Sequence, residues 1–312
     1  MRIGQNPAKS LDANAQPQKI TAVLVNYIPF LSGYFAQSLD VLRLCLGSMR
    51  ENADLPFDLI VFDNASCHEV RQYLVQEHDS GRIQYLILSE QNMGKGGAWN
   101  ILFSAAPGKI IAYSDNDIYF YPGWLGALVK SLETIPGAGM ITGMPLLNPE
   151  EYSTSTVAWA QALPGATLER GRLLPWADYW IHAGSLGNDE EKARAFYNEH
   201  ESLRLTFQEE KYYIGAGHFQ FLARKDVLQR TLPLPNERPM GQVRTLDVAI
   251  NELGFLRLCT SEIWVRHIGN SLKGEDFHTG KTVPPARRVP KPTLWRKFLT
   301  WLNEFTFRIL NS

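Results

Sequence analysis

Short apolar runs alternate with amphipathic stretches through the first half of the chain. Runs rich in β-branched and aliphatic residues predict buried strands over residues 20–25, 58–62, 83–88, 109–113 and 138–142. Helices are predicted over residues 39–49 and 98–106 and from Pro122 onward. This alternation predicts an α/β fold with a mostly parallel sheet that is covered by helices on both faces.

The second half of the chain has a less regular pattern. Residues 150–210 are rich in Trp, Tyr, Gly and Pro, which predicts a loop-heavy substrate region. Residues 212–223 are predicted to form one strand, in which Gly215 and Gly217 allow close approach of another backbone. A helix is predicted over residues 245–253, and short strands are predicted over residues 256–259 and 263–267.

Bulk composition narrows the class of protein. The 312 residues are 45% hydrophobic and 20% charged, as in ordinary globular proteins. No apolar run reaches the ~20 residues of a membrane-spanning helix. Residues 1–19 lack an apolar signal core and are predicted to be a disordered polar tail. The three cysteines form no CxxC pair, which indicates neither a disulfide framework nor a zinc knuckle. A cytoplasmic location is the default expectation.

Positive charge is concentrated at the C-terminus. Residues 271–312 carry eight Lys and Arg against three Asp and Glu, although the whole chain has a net charge of −1. Residues 271–292 are predicted to be a basic linker. Residues 293–312 are predicted to form an amphipathic helix whose apolar half includes Trp295 and Trp301. Such a helix either packs on the main domain or lies on an anionic membrane surface, and the second interpretation predicts a peripheral protein on the cytoplasmic face.

Polar side chains follow four of the predicted strands. Open α/β sheets bind ligands beyond the carboxyl ends of their strands, so these side chains are candidates for one site. Asp115 and Asp117, one residue apart, suit a divalent cation that carries a diphosphate; the alternative is a polar surface turn. The whole set comprises Asn26, Asp63, Asn64, Asn92, Asp115, Asn116 and Asp117.

The other candidates each have a functional and a structural interpretation. Asp63 suits a hydrogen bond to a base or ribose, but it also suits a turn or a helix cap. Residues 92–97 form a glycine-rich turn in which Lys95 supplies charge near a phosphate, although the frames of a Walker loop and of GxGxxG are missing. His267 is a metal ligand only if the fold brings it to Asp117. Asp247 is either a helix cap or a general base.

Seven segments, in this order, resemble the family 2 glycosyltransferases, which have the GT-A fold. They read VLVNY, CLGSM, VFDNAS, QNMGKGGAWN, YSDNDIYFYPGWL, GAGHFQFLARKDVL and VRHIGN, and they cover roughly residues 20–270. The resemblance implies a nucleotide-sugar-binding half over residues 20–145 and an acceptor-binding half over residues 146–270. It also implies an inverting transfer from a nucleoside-diphosphate sugar, UDP-linked or another, to a hydroxyl of a glycan, a lipid-linked or another acceptor. No nucleic-acid partner is expected.

The resemblance further implies how the donor would be held. Asp63 would face the nucleobase, with the backbone near Asn26 beside it. Asn92 and Lys95, in the glycine-rich turn, would lie near the diphosphate.

The resemblance implies a metal site and a base as well. Asp115 would lie near the donor ribose and the metal, Asp117 would bind Mn²⁺ or Mg²⁺, and His267 would complete the set. Many relatives have a pair of acidic residues before a helix in the acceptor half, whereas residues 243–248 offer only Asp247 as the general base. The substitutes for this base are Asp178, Glu209 and Glu210.

Two alternatives stay open at this stage. One is a relative that binds a sugar or nucleotide without catalysis, because the acidic motif is incomplete. The other is a nucleotidyltransferase on a similar sheet, although residues 26–29 lack the glycine-rich, basic loop typical of that class.

Overall fold

The computed structural model describes residue 6 and residues 15–238 and 243–272. Most of the predicted tail over residues 1–19 lies outside these ranges, as do the basic linker beyond residue 272 and the helix over residues 293–312. Within the described ranges, no helix is both long enough and apolar enough to cross a membrane.

Four parallel strands form one side of the main sheet. They are β1 (Ile20–Asn26), β2 (Asp58–Asn64), β3 (Tyr85–Ser89) and β4 (Ile110–Asp115), in the spatial order β3-β2-β1-β4. The connecting helices are α1 (Ser38–Glu51), α2 (His68–Asp79) and α3 (Gly94–Ala105). The register pairs Asn26 with Asp63 and Val25 with Asp115, so the carboxyl ends of β1, β2 and β4 meet at one edge.

The strands of this half are apolar on both faces because helices cover both. On β1, Ala22 and Leu24 pack into one buried cluster and Val23 packs into the other. Burial of a side chain such as Leu24 stabilises the fold by roughly 1.5–3 kcal/mol relative to its exposure. Strands covered on both faces have continuous apolar runs, which is why the sequence predicts them well.

The second half of the chain extends the same sheet and adds a small antiparallel ribbon. Its strands are β5 (Ile118–Phe120), β6 (Ala138–Thr142), β7 (Thr167–Gly171), β8 (Ser202–Phe207), β9 (Glu210–Ile214), β10 (Gln220–Arg224), β11 (Leu256–Thr260) and β12 (Val265–His267). Its helices are α4 (Trp124–Thr134), α5 (Thr154–Ala162), α6 (Trp176–Ser185), α7 (Glu190–Glu199), α8 (Lys225–Gln229) and α9 (Arg244–Glu252). The main sheet has the order β3-β2-β1-β4-β10-β6-β11-β9-β8-β7.

Two pairings carry the second half to the edge where the parallel strands end. β10 runs antiparallel between β4 and β6, with Gln220 opposite Ser114, so the segment before β10 arrives at the end of β4. β12 pairs antiparallel with β5, with His267 opposite Ile118, and the amide of Ile268 donates to the carbonyl oxygen of Asp117. Residues distant in sequence therefore surround the end of β4.

The α/β class and the parallel, helix-flanked first half are confirmed, but two predictions for the second half are wrong. Residues 150–210 hold α5, α6, α7, β7 and β8 rather than mostly loops, because the aromatic residues there pack these elements together. Residues 212–223 form two strands instead of one. Gly215 has φ +96°, which lets the chain leave β9, and a Cβ there would lie 2.4 Å from the Cβ of Asn148.

Candidate active site

Asn26 joins the ends of the three central parallel strands. Its amide nitrogen donates to Asp63 Oδ1 (3.0 Å) and to the hydroxyl of Ser66 (2.9 Å). Its amide oxygen accepts from Nδ2 of Asn116 (2.7 Å). Asn26 is fully buried, and these three hydrogen bonds fix the relative positions of the strand ends.

Asp63 is equally buried, and both of its oxygens are engaged. Besides the bond from Asn26, Oδ2 accepts from the amide of Ser66 (3.2 Å) and from Nε of Arg71 (3.0 Å). The side chain of Asp63 has no exposed surface. The next residue, Asn64, is the one that lines the cavity described below.

Asn64 and Asn92 shape the turn that opens α3. Oδ1 of Asn64 accepts from the amide of Met93 (2.7 Å), and its Nδ2 donates to Oδ1 of Asn92 (2.9 Å). Asn92 Oδ1 also accepts from the amide of Gly94 (2.8 Å), a residue with φ +69°. These bonds hold the start of α3, and with it Lys95, against the ends of β2 and β4.

Lys95 forms an ion pair with Asp115 at the end of β4. The distance from Nζ to Oδ2 is 2.7 Å, and the hydroxyl of Tyr113 donates to the other carboxylate oxygen. The ammonium group also lies 5.3 Å from the ring centroid of Trp99 and 5.4 Å from that of Tyr113. Burial raises the pKa of Asp115, and the charge of Lys95 acts in the opposite direction. The pair is therefore a partly covered charged group facing the cavity.

Asp117 and His267 form a second pair on the other side of the strand end. Nε2 of His267 lies 3.2 Å from Asp117 Oδ2, and its Nδ1 lies 2.8 Å from the hydroxyl of Ser185. Ser185 donates its hydrogen to the carbonyl oxygen of His182 (2.7 Å), so it accepts from His267, and Nδ1 carries a hydrogen. Burial acts to lower the pKa of His267, but the hydrogen bond and charge of Asp117 outweigh it and raise the pKa.

His182 is a second histidine beside this pair. Its ring stacks on Phe219 with centroids 4.8 Å apart, and it lies 5.9 Å from the ring of His267. Burial and the nearby charge of His267 lower the pKa of His182 to about 3. His182 is therefore neutral at neutral pH.

A cavity of about 380 Å³ opens beside these groups, a volume within the range of small-molecule sites. One wall is aromatic, because Phe35 lies edge-on to Tyr27 and Tyr34 with centroid distances of 6.4 and 5.0 Å. Tyr34 is 71% exposed. The polar and charged lining includes Asn64, Asn92, Lys95, Asp115, Asn116 and Asp117.

The residues present fit a divalent cation at Asp117 and His267. Oδ1 of Asp117 is buried and has no hydrogen-bond partner among the described residues, which is costly for a carboxylate unless a cation or proton satisfies it. A carboxylate suits Mn²⁺ or Mg²⁺, and a neutral imidazole is a common metal ligand. Asp115, the third predicted ligand, is turned toward Lys95 and Tyr113. No group of three His, Cys, Asp or Glu side chains converges on one point within the described ranges.

Asp247, the predicted base, lies in the first turn of α9 and is not part of the cavity lining. Its side chain is 4% exposed; Oδ1 contacts the guanidinium of Arg257, and Oδ2 contacts Nε2 of His218. Of the substitutes, Glu210 pairs with Lys130 at 2.6 Å, and none of the three lines the cavity.

Sequence reasoning missed several residues that the fold brings to this site. They come from the aromatic segment after β1 and from α6. The set is Tyr27, Tyr34, His182 and Ser185. The available signal for Tyr27 was its position beside a strand end, whereas Ser185 is brought in only by tertiary contacts. His218, in the loop before β10, contacts Asp247 and does not line the cavity.

Part of the chain is similar to a known family of enzymes. Residues 34–182 match the family described as glycosyl transferase family 2, a span that includes Asn64, Lys95, Asp115 and Asp117. A curated relative, the uncharacterized glycosyltransferase alr2836 of Nostoc sp. strain PCC 7120, is 22% identical over 130 residues. The match covers 42% of this chain and 38% of the relative. The family match covers slightly less than half of the chain, and the α/β architecture that the sequence predicts is confirmed by the strands and helices described above.

Solved structures with a similar fold include two glycosyltransferases. A crystal structure of S. aureus TarS residues 1–349 in complex with UDP-GlcNAc has a TM-score of 0.49 at 14% identity, covering 86% of this chain and 62% of that one. The mannosyltransferase PcManGT from Pyrobaculum calidifontis, in complex with GDP-Man and Mn²⁺, has a TM-score of 0.46 at 14% identity, covering 80% and 55%. The chain thus spans less than two thirds of the length of each of these relatives.

Proposed function

We propose that this protein is a glycosyltransferase that moves a sugar from a nucleoside-diphosphate sugar to a hydroxyl acceptor, with inversion and with the help of a divalent cation. The proposal rests on the surroundings of Asp117. Its buried Oδ1 has no hydrogen-bond partner among the described residues, while its Oδ2 faces Nε2 of His267. This pair adjoins a cavity that also contains an ammonium group, Lys95. Such a combination suits a diphosphate better than a neutral ligand.

The cavity has separate regions for the parts of a nucleotide. The aromatic wall of Tyr27 and Tyr34 suits stacking with a nucleobase. The amides of Asn64 and Asn116 both donate and accept, and they suit the polar edge of a base or a ribose. Asp63, with both oxygens engaged, acts on this region through Asn26, by holding the strand ends that carry those amides.

The phosphate end of the donor would lie at the end of β4. Lys95 and the turn at Asn92 face this region, together with Asp115. Asp117 and His267 would hold Mn²⁺ or Mg²⁺, with Asp115 close by. When bound, the cation would stabilise negative charge on the departing diphosphate.

Inversion by a single displacement requires a base for the acceptor hydroxyl. Asp247, the residue predicted for this function, belongs to the group that takes the proton through its contact with His218. The acceptor class stays a glycan, a lipid-linked or another hydroxyl. The association with an anionic membrane stays a prediction for residues 293–312.

The test measures binding and turnover separately. Calorimetry with UDP and with GDP, each with and without Mn²⁺, should show binding that depends on the cation. Asp117→Asn should weaken it strongly, and Asp79→Asn, on an aspartate whose side chain is 74% exposed on α2, should leave it unchanged. Transfer or hydrolysis of nucleotide sugars should require the same cation. Binding without any turnover would support the non-catalytic alternative, and unchanged activity in excess chelator would contradict the metal-dependent mechanism.

A further inference from the structure

His218 and Asp247 are in direct contact beside the candidate active site. Nε2 of His218 faces Oδ2 of Asp247 as a close ion-pair contact, although its N–H is not aligned on the oxygen. The Asp247 side chain is 4% exposed and that of His218 is 24% exposed. Within the described part of the chain, Nδ1 of His218 makes no hydrogen bond. The histidine thus has one nitrogen against a buried carboxylate and the other without a hydrogen-bond partner.

Arg257 holds both partners of this contact. Its NH2 contacts Oδ1 of Asp247 and also donates to the carbonyl oxygen of Ala216 (2.9 Å), two residues before His218. Its NH1 donates to the carbonyl oxygen of Tyr152 (2.7 Å). Because the guanidinium is planar and 2% exposed, it fixes the carboxylate and the loop relative to each other.

The loop that carries His218 is attached to the end of β4. The amide of Asp115 donates to the carbonyl oxygen of Phe219 (2.7 Å), the residue after His218. Gly217, the residue before it, donates its amide to the hydroxyl of Thr142 (2.8 Å). The residue after His218 is therefore hydrogen-bonded to the strand end that carries the predicted metal and donor ligands.

These contacts make Asp247 unsuited to take a proton directly. Both of its oxygens face cationic or protonatable nitrogens, and protonation would leave Arg257 as an unpaired charge in the interior. A carboxylate in contact with an imidazole instead stabilises the imidazolium that forms when the ring accepts a proton. His218 is the more exposed of the two groups.

We propose that His218 is the catalytic base for the acceptor hydroxyl and that Asp247 is its positioning residue; this inference rests on the function proposed above. In the step, the acceptor O–H bond breaks and its proton moves to Nδ1 of His218. The acceptor oxygen forms a bond to the anomeric carbon, and the bond from that carbon to the diphosphate oxygen breaks, with the electron pair leaving on the nucleoside diphosphate. The proton on His218 then passes to solvent.

The test uses the full chain and water as the acceptor, with a panel of UDP-, GDP- and dTDP-sugars and Mn²⁺. With any donor that the wild type hydrolyses, His218→Gln should lower kcat by ~10²–10⁴-fold, the range for a general base, while the donor Kd stays unchanged. His218→Ala should regain part of its rate when free imidazole is added. His78→Gln, on a partly exposed histidine of α2, is the matched control and should retain the wild-type rate.

A second series separates positioning from structure. Asp247→Asn should lower kcat, and the double variant with His218→Gln should be no slower than His218→Gln alone, because two groups that act as a unit are not additive. A near-normal kcat in His218→Gln, or a rate of His218→Ala that imidazole does not change, would overturn the proposal while leaving the transferase function standing. If the wild type bound none of the donors in the panel and hydrolysed none of them, both the transferase function and the role of His218 would be contradicted.

Discussion

Removal of one hydroxyl, in Ser185→Ala, should weaken metal binding although Ser185 is not itself a metal ligand. The hydroxyl accepts a hydrogen from Nδ1 of His267 and donates its own to the carbonyl oxygen of His182, at 2.8 and 2.7 Å. This arrangement keeps the hydrogen of a neutral His267 on Nδ1, so that the lone pair lies on Nε2, beside Asp117. Without the serine, Nδ1 of His267 loses this hydrogen-bond partner, and both tautomers and ring orientations become accessible.

The expected size of the effect follows from the number of bonds lost. One hydrogen bond that orients a ligand is removed, and loss of such an outer-shell partner costs ~10–100-fold in metal affinity. That range corresponds to about 1.4–2.7 kcal/mol. The measurement is a titration of Mn²⁺, followed by its EPR signal, in the presence of saturating UDP.

The control is Ser80→Ala. Ser80 also donates to a carbonyl oxygen three residues earlier, that of Glu77 (2.8 Å), but it lies at the end of α2. The Ser80→Ala variant should therefore bind Mn²⁺ with the affinity of the wild type. If Ser185→Ala bound Mn²⁺ with unchanged affinity while the wild type bound it well, His267 would not be a ligand of that cation.

Three further predictions concern the donor, acid stability and the tail. Lys95→Gln should weaken binding of a nucleoside diphosphate by about 1.5–3 kcal/mol in calorimetry, and an unchanged Kd would leave Lys95 as an internal partner of Asp115 alone. The pKa of His182 is lowered from 6.5 to about 3, so the unfolded chain binds the extra proton between these values and the native protein loses stability as the pH falls through that window. His182→Gln should flatten this loss in urea unfolding across the window, and an equally steep loss would contradict the assignment. Truncation after Asn270 removes the predicted basic linker and helix and should release the protein from anionic liposomes. Failure of the full chain to sediment with these liposomes at low salt would contradict the membrane prediction.

The strands of the first half were predictable because burial on both faces requires a continuous run of apolar residues. The run predicted at residues 20–25 corresponds to β1, and that at residues 109–113 corresponds to β4. The position of Asp115 and Asp117 after β4 followed from the same pattern. Helix α2 was not predicted, because it buries only a narrow side that includes Val70 and Leu74.

The finer assignment of polar residues depends on contacts that a linear pattern does not encode. Asp63 and Asn64 are adjacent, and only the fold decides which side chain is buried against Arg71 and which lines the cavity. Likewise, the contact between Ser185 and His267 joins residues 82 positions apart. Their pairing follows from the packing of α6 against β12, and it cannot be predicted from the two residue types.

The insertion of β10 beside β4 has a consequence for synthesis of the chain on the ribosome. Ile110 pairs with Arg224, so β4 is made long before its antiparallel neighbour exists. At about 5–20 residues per second, this edge waits roughly 6–23 s for its partner. During that time β4 is an open, apolar strand edge able to pair with another chain. A fragment that stops near residue 145 keeps this edge permanently, so it should aggregate when it is produced alone. In the full chain, β10 from the second half closes the edge.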